Sequence, residues 1–453
     1  MKRSDRSMLS GPLFSNIVIY TIPIILTSLL QLLFNAADLV VVGQFCGSLS
    51  VAAVGATGAI TNLIVNLFVG LSVGAGVSVA HGIGCKDDEA VHKAVHTALP
   101  VALISGVFLT FVGVLLSEYL LGLMGTPENI LPLSALYMKI YFCGITFALV
   151  YNYCASILRA AGDTKSPLVF LTTAGVINVV LNLIFVRVFH MNVAGVALAT
   201  TISQGVSAVL VVIALMKRTD ACRLFFKRMR IYKPQLMKMI TIGLPAGIQG
   251  SLFSISNVLI QSSINSFGDI FVSGNAAAGN IEGFVYVSLN AFHQTAVNFT
   301  GQNVGAGQYK RVSKIFAICL GCVTVVGLSI GGIAYALAPK LLGIYITDSA
   351  EAISFGVLRM AFICLPYFIL GLMDVATGTL RGMGASFVPM VISVLGVCGL
   401  RILWIYTIFQ VPQYHTPECL YTSYPVSWTV TFLCELVAFL VIYRKRIRQT
   451  KSE

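Results

Sequence analysis

Residues 31–43 read QLLFNAADLVVVG, and they lie inside an apolar run that begins near Leu13. The run is long enough to cross a bilayer as one helix. Asp38 is the residue that does not dissolve in lipid. A carboxylate near the middle of a span costs at least ~2.5–3.5 kcal/mol, so it must face protein or a wet cavity. Asn35 stands three residues earlier, on nearly the same helical face. This stretch decides the fold class, because segments like it recur along the whole chain. It also names the first functional candidate, an acid lining a solute path. The alternative is an acid paired with a basic side chain on a neighbouring helix.

The composition agrees. Of 453 residues, 57% are hydrophobic and only 10% are charged. Soluble domains do not have this balance. The first apolar segment is too long for a signal peptide, and no small-residue cleavage site with soluble sequence follows it. The eleven cysteines include no CxxC pair, so neither a zinc site nor a disulfide framework is indicated. Cys143, Cys154, Cys319, Cys322 and Cys364 fall in apolar segments and read as small buried residues.

Twelve spans are expected, at roughly 13–42, 50–80, 91–116, 133–158, 168–189, 193–216, 236–265, 271–299, 313–338, 353–379, 387–410 and 424–443. The formal charge of +12 bears on topology rather than on nucleic acid. Basic residues gather before span one (Lys2, Arg3, Arg6) and between spans two and three (Lys86, Lys93). They also follow span four (Arg159, Lys165), span eight (Lys310, Arg311, Lys314) and span ten (Arg381). The tail adds Arg444, Lys445, Arg446, Arg448 and Lys451. The connector 217–238 carries eight more, whereas the opposite loops hold Arg187 and Lys340. Both termini are therefore expected in the cytoplasm, the bacterial inner membrane being the expected site. The connector segment RLFFKRMRIY is basic and amphipathic, and is expected to lie along the inner leaflet.

The chain repeats itself at an offset of 222 residues. Pro23 and Asn35 are matched by Pro245 and Asn257. LRAAGDTKSP (158–167) is matched by LRGMGASFVP (380–389), and IGCK (83–86) has a weaker echo in VGAG (304–307). Six spans per half give both halves the same orientation. The expected architecture is an all-α polytopic membrane protein with two six-helix lobes related by a pseudo-two-fold axis along the membrane normal. The lobes are expected at 1–216 and 236–453, joined by the cytoplasmic connector 217–235. Pro23 and Pro245 free backbone carbonyls inside spans. Glycines at 70, 74 and 76 permit close helix packing. Arg159 and Arg381 sit where they can complement helix C-termini, a structural role.

Candidates for chemistry follow from polarity inside the spans. The first half offers Asp38, Gln31, Asn35, Asn62, Asn66, Asn178, Asn182 and Thr200. Asn178 and Asn182 share a helical face. Such an oxygen-rich set suits Na+ or a protonated carboxyl; interhelical amide bonding is the other reading. The second half offers Glu282, Asp374 and Glu435 beside Arg359 and Arg401. There ion pairing competes with cation contact, Arg401 with Glu282 or Glu435 being one pairing to expect. GQNVGAGQ (301–308) is glycine-rich but lacks the Lys-Ser/Thr ending of a phosphate loop. With no ATP loop, no HExxH and no nucleophile–base pair, an enzyme is not indicated, and uphill transport would draw on an ion gradient.

FNAADLVVVG in span one, the two LRxxG segments, NVVLNLIFV…VAGVALAT and NIEGFVYVSLNAF together resemble the multidrug and toxic compound extrusion (MATE) transporters, in their DinF-like branch. The resemblance covers nearly the whole chain. It implies a cation-coupled antiporter, working with H+ or Na+ and without a cofactor. It would export amphipathic, mostly cationic compounds by alternating access, as a functional monomer in contact with membrane lipids and not with nucleic acid. It also implies a cation-coupling site, with Na+ as one occupant, at Asp38, Asn178, Asn182 and Thr200. The family usually has a second acid where this chain has Asn182. Span seven, SLFSISN, lacks the acid of the NorM-like branch. Substrate-cavity candidates are Gln31, Asn35, Asn257, Glu282 and Asp374. A flippase for lipid-linked precursors shares the broad architecture, but would need a strongly cationic cavity.

Overall fold

A computed structural model describes residues 8–347 and 349–452; Lys2, Arg3 and Arg6 lie outside them, as does the side chain of Lys451. The regular elements among the described residues are all helices, with no strand. In the first half the helices are α1 (Leu13–Cys46), α2 (Ser48–Cys85), α3 (Asp88–Leu123), α4 (Leu131–Ala160), α5 (Lys165–Leu183) and α6 (Asn192–Met216). The second half has α7 (Lys233–Asn265), α8 (Asp269–Gly305), α9 (Tyr309–Ala336), α10 (Ala338–Tyr345), α11 (Ala350–Ile363) and α12 (Tyr367–Gly382). It ends with α13 (Phe387–Ser393), α14 (Leu400–Tyr406) and α15 (Pro417–Ser452). A π-helical segment, Ile184–Val188, extends α5, and another, Val394–Gly399, joins α13 to α14.

Among the described residues, ten helical segments are long and apolar enough to cross a membrane, and α11 with α12 make an eleventh that bends by 44°. The one remaining expected span, the eighth at 271–299, falls in α8. That helix has 37 residues but carries many polar ones. The reason is its surroundings. Asn275, Glu282, Ser288, His293, Thr295, Asn298, Thr300, Gln302 and Asn303 on α8 are all buried. Polar residues on the buried side of a helix face protein rather than lipid, so they lower its hydropathy without meeting the bilayer. Two of the five cysteines expected inside are not: Cys143 is exposed and Cys322 half-buried. An outward-facing thiol costs little in lipid, so an apolar neighbourhood in sequence does not fix its side of the helix.

The chain forms two compact units: Leu26–Ser251, and residues 8–25 with 252–452. The division runs inside α1 and α7 rather than through the connector. Each helix changes neighbours along its length. At the start of α1, Ile17, Tyr20 and Ile24 belong to the core of the second unit. There the Thr21 and Thr295 hydroxyls lie 2.8 Å apart, and Tyr20 meets Phe299 edge-on at 5.2 Å. At the start of α7, Met239 belongs to the core of the first unit. Pro23 and Pro245 lie inside helices that continue past them.

The repeated motif LRxxG is a helix terminus. In the first copy, Gly162 has φ 86° and donates to Arg159, while Asp163 donates to Leu158. In the second, Gly384 has φ 82° and donates to Arg381, while Ala385 donates to Leu380. This is the paired-bond cap that ends a helix with a left-handed residue. The weaker echo has the same cap. Lys86 (φ 54°) and Gly307 (φ 68°) donate to Ile83 and Val304, and the next residues donate to Gly82 and Asn303. Adding a Cβ at the left-handed position costs about 1–2 kcal/mol. Gly384→Ala should therefore lower the thermal midpoint of purified protein, with Gly384→Asn milder than Gly384→Val. Equal midpoints for all three variants and the parent would contradict this role.

Candidate functional site

Asp38 lies on the part of α1 that belongs to the first unit. Where α1 meets α5, a side chain is missing on α5. A Cβ on Gly175 would fall 1.8 Å from the Phe34 ring, so the ring of α1 seats in the space the glycine leaves on α5. Further along α5, on the following turns, come Asn178 and Asn182, both buried. Thr200 comes from α6. Beyond the site, Val41, Val42, Val186 and Val196 pack together, fixing the end of α1 against the π-helical segment and α6. A π turn directly after functional side chains is a recurrent feature of helical sites.

The four side chains form a closed ring. Asn182 Nδ2 donates to Asp38 Oδ1 at 2.5 Å and to Asn178 Oδ1 at 3.2 Å. Asn178 Nδ2 donates to Thr200 Oγ1 at 3.3 Å, and Thr200 Oγ1 donates to Asp38 Oδ2 at 3.3 Å. Asn182 thus uses both amide hydrogens, and its Oδ1 is buried with no hydrogen-bond partner. An orphaned buried oxygen beside a carboxylate, an amide oxygen and a hydroxyl is a donor set suited to a small hard cation or to a protonated acid. Among the described residues no group of three or more His, Cys, Asp or Glu is placed to hold a metal ion. Tyr137 on α4 is within electrostatic range of Asp38. It does not stand out in the sequence, where its only signal is an aromatic partner, Tyr141, at helical spacing.

The other candidates are dispersed. Gln31, Asn35 and Asn257 are exposed. Glu282 is not available as a lone cation contact. Arg359 grips it through Nε and Nη2, both at 2.7 Å, and also bonds Asn275 Oδ1 at 2.5 Å. Tyr421 closes that network at 3.0 Å from Asn275. The pairing expected for Arg401 is likewise corrected. Arg401 donates to Ser427 at 2.9 Å and lies over the ring of Tyr424 at 4.1 Å. Glu435 instead accepts from Thr377 at 2.7 Å and Ser393 at 2.8 Å. Bidentate geometry favours Arg359 for the carboxylate, and a buried guanidinium without one settles on an aromatic face. Asp374 keeps one buried carboxylate oxygen without a partner. Its backbone carbonyl accepts from His293 Nδ1 at 2.7 Å, and His293 Nε2 faces Arg381 at 3.3 Å.

A model of the MatE family matches residues 23–184 and again 245–407. The chain belongs to the MatE family. The two matches start at Pro23 and Pro245, the offset of the internal repeat. Among curated relatives, "Probable multidrug resistance protein YpnP" of Bacillus subtilis is 29% identical over 86% of this chain and 87% of its own. "Multidrug export protein MepA" of Staphylococcus aureus is 22% identical over 97% and 96%. Among solved structures, a MATE protein in its bent conformation superposes with a TM-score of 0.91 at 19% identity, covering both chains completely. The Vibrio cholerae MATE transporter VcmN in its bent form gives 0.86 at 22% identity, over 96% and 97%. Membership makes this MatE chain a multi-pass membrane transporter and not an enzyme.

Proposed function

We propose that this transporter exchanges an inward-moving cation, H+ or Na+, for amphipathic, mostly cationic drugs leaving the cytoplasm, by alternating access, with Asp38 as the coupling group. The observation that carries the reading is the ring of Asp38, Asn182, Asn178 and Thr200 with its orphaned amide oxygen. An arriving Na+ would be held by the Asp38 carboxylate and the amide and hydroxyl oxygens around it, and an arriving proton by Asp38 itself. Either one breaks at least one bond of the ring. The Asn182 amide then turns, and the packing of α1 against α5 changes with it. That difference gives the cation unequal affinity for two states, which coupling requires. Relatives carrying multidrug-resistance and multidrug-export names support drugs as the substrates.

The test is efflux of a fluorescent lipophilic cation from proteoliposomes with imposed gradients. Loss of efflux with a protonophore assigns H+, and dependence on a Na+ gradient assigns Na+. Efflux that continues uphill with both gradients dissipated would refute cation coupling. The charge bias also orients the chain in a bacterial inner membrane with both termini inside. Cys85, exposed at the end of α2, should react with an impermeant maleimide only in inside-out vesicles, and Cys419 only in right-side-out ones. The reverse pattern would invert the topology.

A further inference from the structure

We propose that the connector between α6 and α7 forms, with the first turns of α3, a binding site for the phosphodiester headgroup of an acidic phospholipid. The segment is built, not loose. Cys222 and Leu224 are buried in the core of the first unit. Phe225 N donates to His96 Nε2 at 3.0 Å, and Tyr232 N donates to Thr97 Oγ1 at 3.1 Å. Arg218, ahead of it, is held by Asp220. Between these anchors lies a cavity of about 400 Å³ lined by Glu89, Lys93, Lys227, Arg228, Arg230 and Tyr232, among others.

Its charge is one-sided. Glu89 is neutralised by Lys93, leaving Lys227, Arg228 and Arg230 with no carboxylate in ion-pair range among the described residues. All three are exposed. Aromatic rings pre-arrange the guanidinium groups: Arg228 lies over Phe225 at 5.3 Å and Arg230 over Tyr232 at 6.0 Å. Two arginines and a lysine around a headgroup-sized hollow suit a phosphate diester, which accepts paired guanidinium bonds. The choice of a lipid over a soluble phosphate comes from the residues between the cations. Phe226 is 49% exposed and Ile231 40% exposed, on either side of Arg228 and Arg230. Water gains nothing from that alternation, whereas an interface offers phosphate to the cations and acyl chains to Phe226 and Ile231.

The site is tested by native mass spectrometry of the delipidated full chain, titrated with phosphatidylglycerol, phosphatidylcholine or inorganic phosphate. Binding in detergent depends neither on orientation nor on ion coupling, so the result is separate from the proposed transport function. Each cation near an anionic headgroup contributes about fivefold to binding. Lys227→Gln/Arg228→Gln/Arg230→Gln together should weaken phosphatidylglycerol by at least about tenfold and leave phosphatidylcholine unchanged. Lys310→Gln/Lys314→Gln/Lys445→Gln removes the same charge elsewhere and should leave phosphatidylglycerol binding unchanged. If the triple variant does not fold, the three single changes read the same loss, about fivefold each. An undiminished affinity in the connector variants, or an equal loss in the control, would overturn the site. Displacement of the lipid by millimolar inorganic phosphate would assign it to a soluble anion and overturn the lipid proposal.

Discussion

Asp38→Asn gives a folded, membrane-inserted protein that still binds drug and no longer extrudes it against a gradient. The substitution keeps the size of the side chain and an oxygen that accepts from Asn182 or Thr200, so the ring of hydrogen bonds survives in outline. It removes the negative charge and the exchangeable proton. A neutral amide cannot alternate between cation-bound and cation-free forms, and without that alternation the ion gradient has nothing to act on. A coupling free energy of ordinary size corresponds to about 5- to 150-fold, so with the coupling group lost uphill efflux should drop by at least about that factor, to background, at matched protein levels. Downhill drug movement is the internal control and should fall less. The companion change runs the other way. Asn182 Nδ2 donates to Asp38 at 2.5 Å; an aspartate there supplies a second carboxylate oxygen instead. Two such oxygens at contact need a proton or a metal cation between them. Asn182→Asp should therefore make efflux more steeply dependent on the driving cation while retaining transport. Undiminished uphill efflux by Asp38→Asn would remove Asp38 from the coupling role, whatever Asn182→Asp does.

Gly70→Ala and Gly247→Ala should each sharply reduce the yield of monodisperse protein. Gly70 and Gly74 on α2 face Gly243 and Gly247 on α7, two small-xxx-small pairs in contact within the first unit. A Cβ on Gly70 would lie 2.2 Å from the Gly247 nitrogen, and one on Gly247 would lie 2.3 Å from the Leu67 carbonyl oxygen. The obstructing atoms are backbone, so no side chain can swing aside. The helices must separate, and the neighbouring contacts go with them. Overpacking of this kind costs about 1–3 kcal/mol per methyl, with backbone clashes at the upper end. A Cβ added to Gly55, on the same helix, would meet no atom within 4 Å. Gly55→Ala therefore serves as control and should be neutral or slightly stabilising. The comparison is read from size-exclusion profiles and thermal midpoints. A Gly70→Ala protein as stable as Gly55→Ala would mean that α2 and α7 do not pack this closely.

Much of this protein is determined one residue at a time, and that part is legible in the sequence. Twelve helical segments follow from the apolar runs, because a backbone in lipid must bond to itself. The repeat is legible because each copy must end its helix with a left-handed residue, and Gly162 and Gly384 recur at the same offset. Asp38 stood out because a lone acid in a span demands a partner. Which partner it has is a different kind of fact. Asn178, Asn182 and Thr200 became its neighbours only through the family resemblance and then through the close approach of Phe34 to Gly175. Tyr137 carried almost no signal. In the second half, Glu282 had two arginines to choose between, and bidentate geometry gave it Arg359. Periodicity shows which face of a helix is polar but not what that face meets. In the second half of α8 even the polarity of the buried face is no guide, because His293, Thr295, Asn298, Thr300, Gln302 and Asn303 are all buried. The sequence by itself determined the helices, their ends and the acid that needs explaining. The tertiary structure alone decided which side chains meet, because partner choice depends on how closely helices approach, and a small residue such as Gly175, one turn from Asn178, shapes that approach without showing which side chains it will bring together.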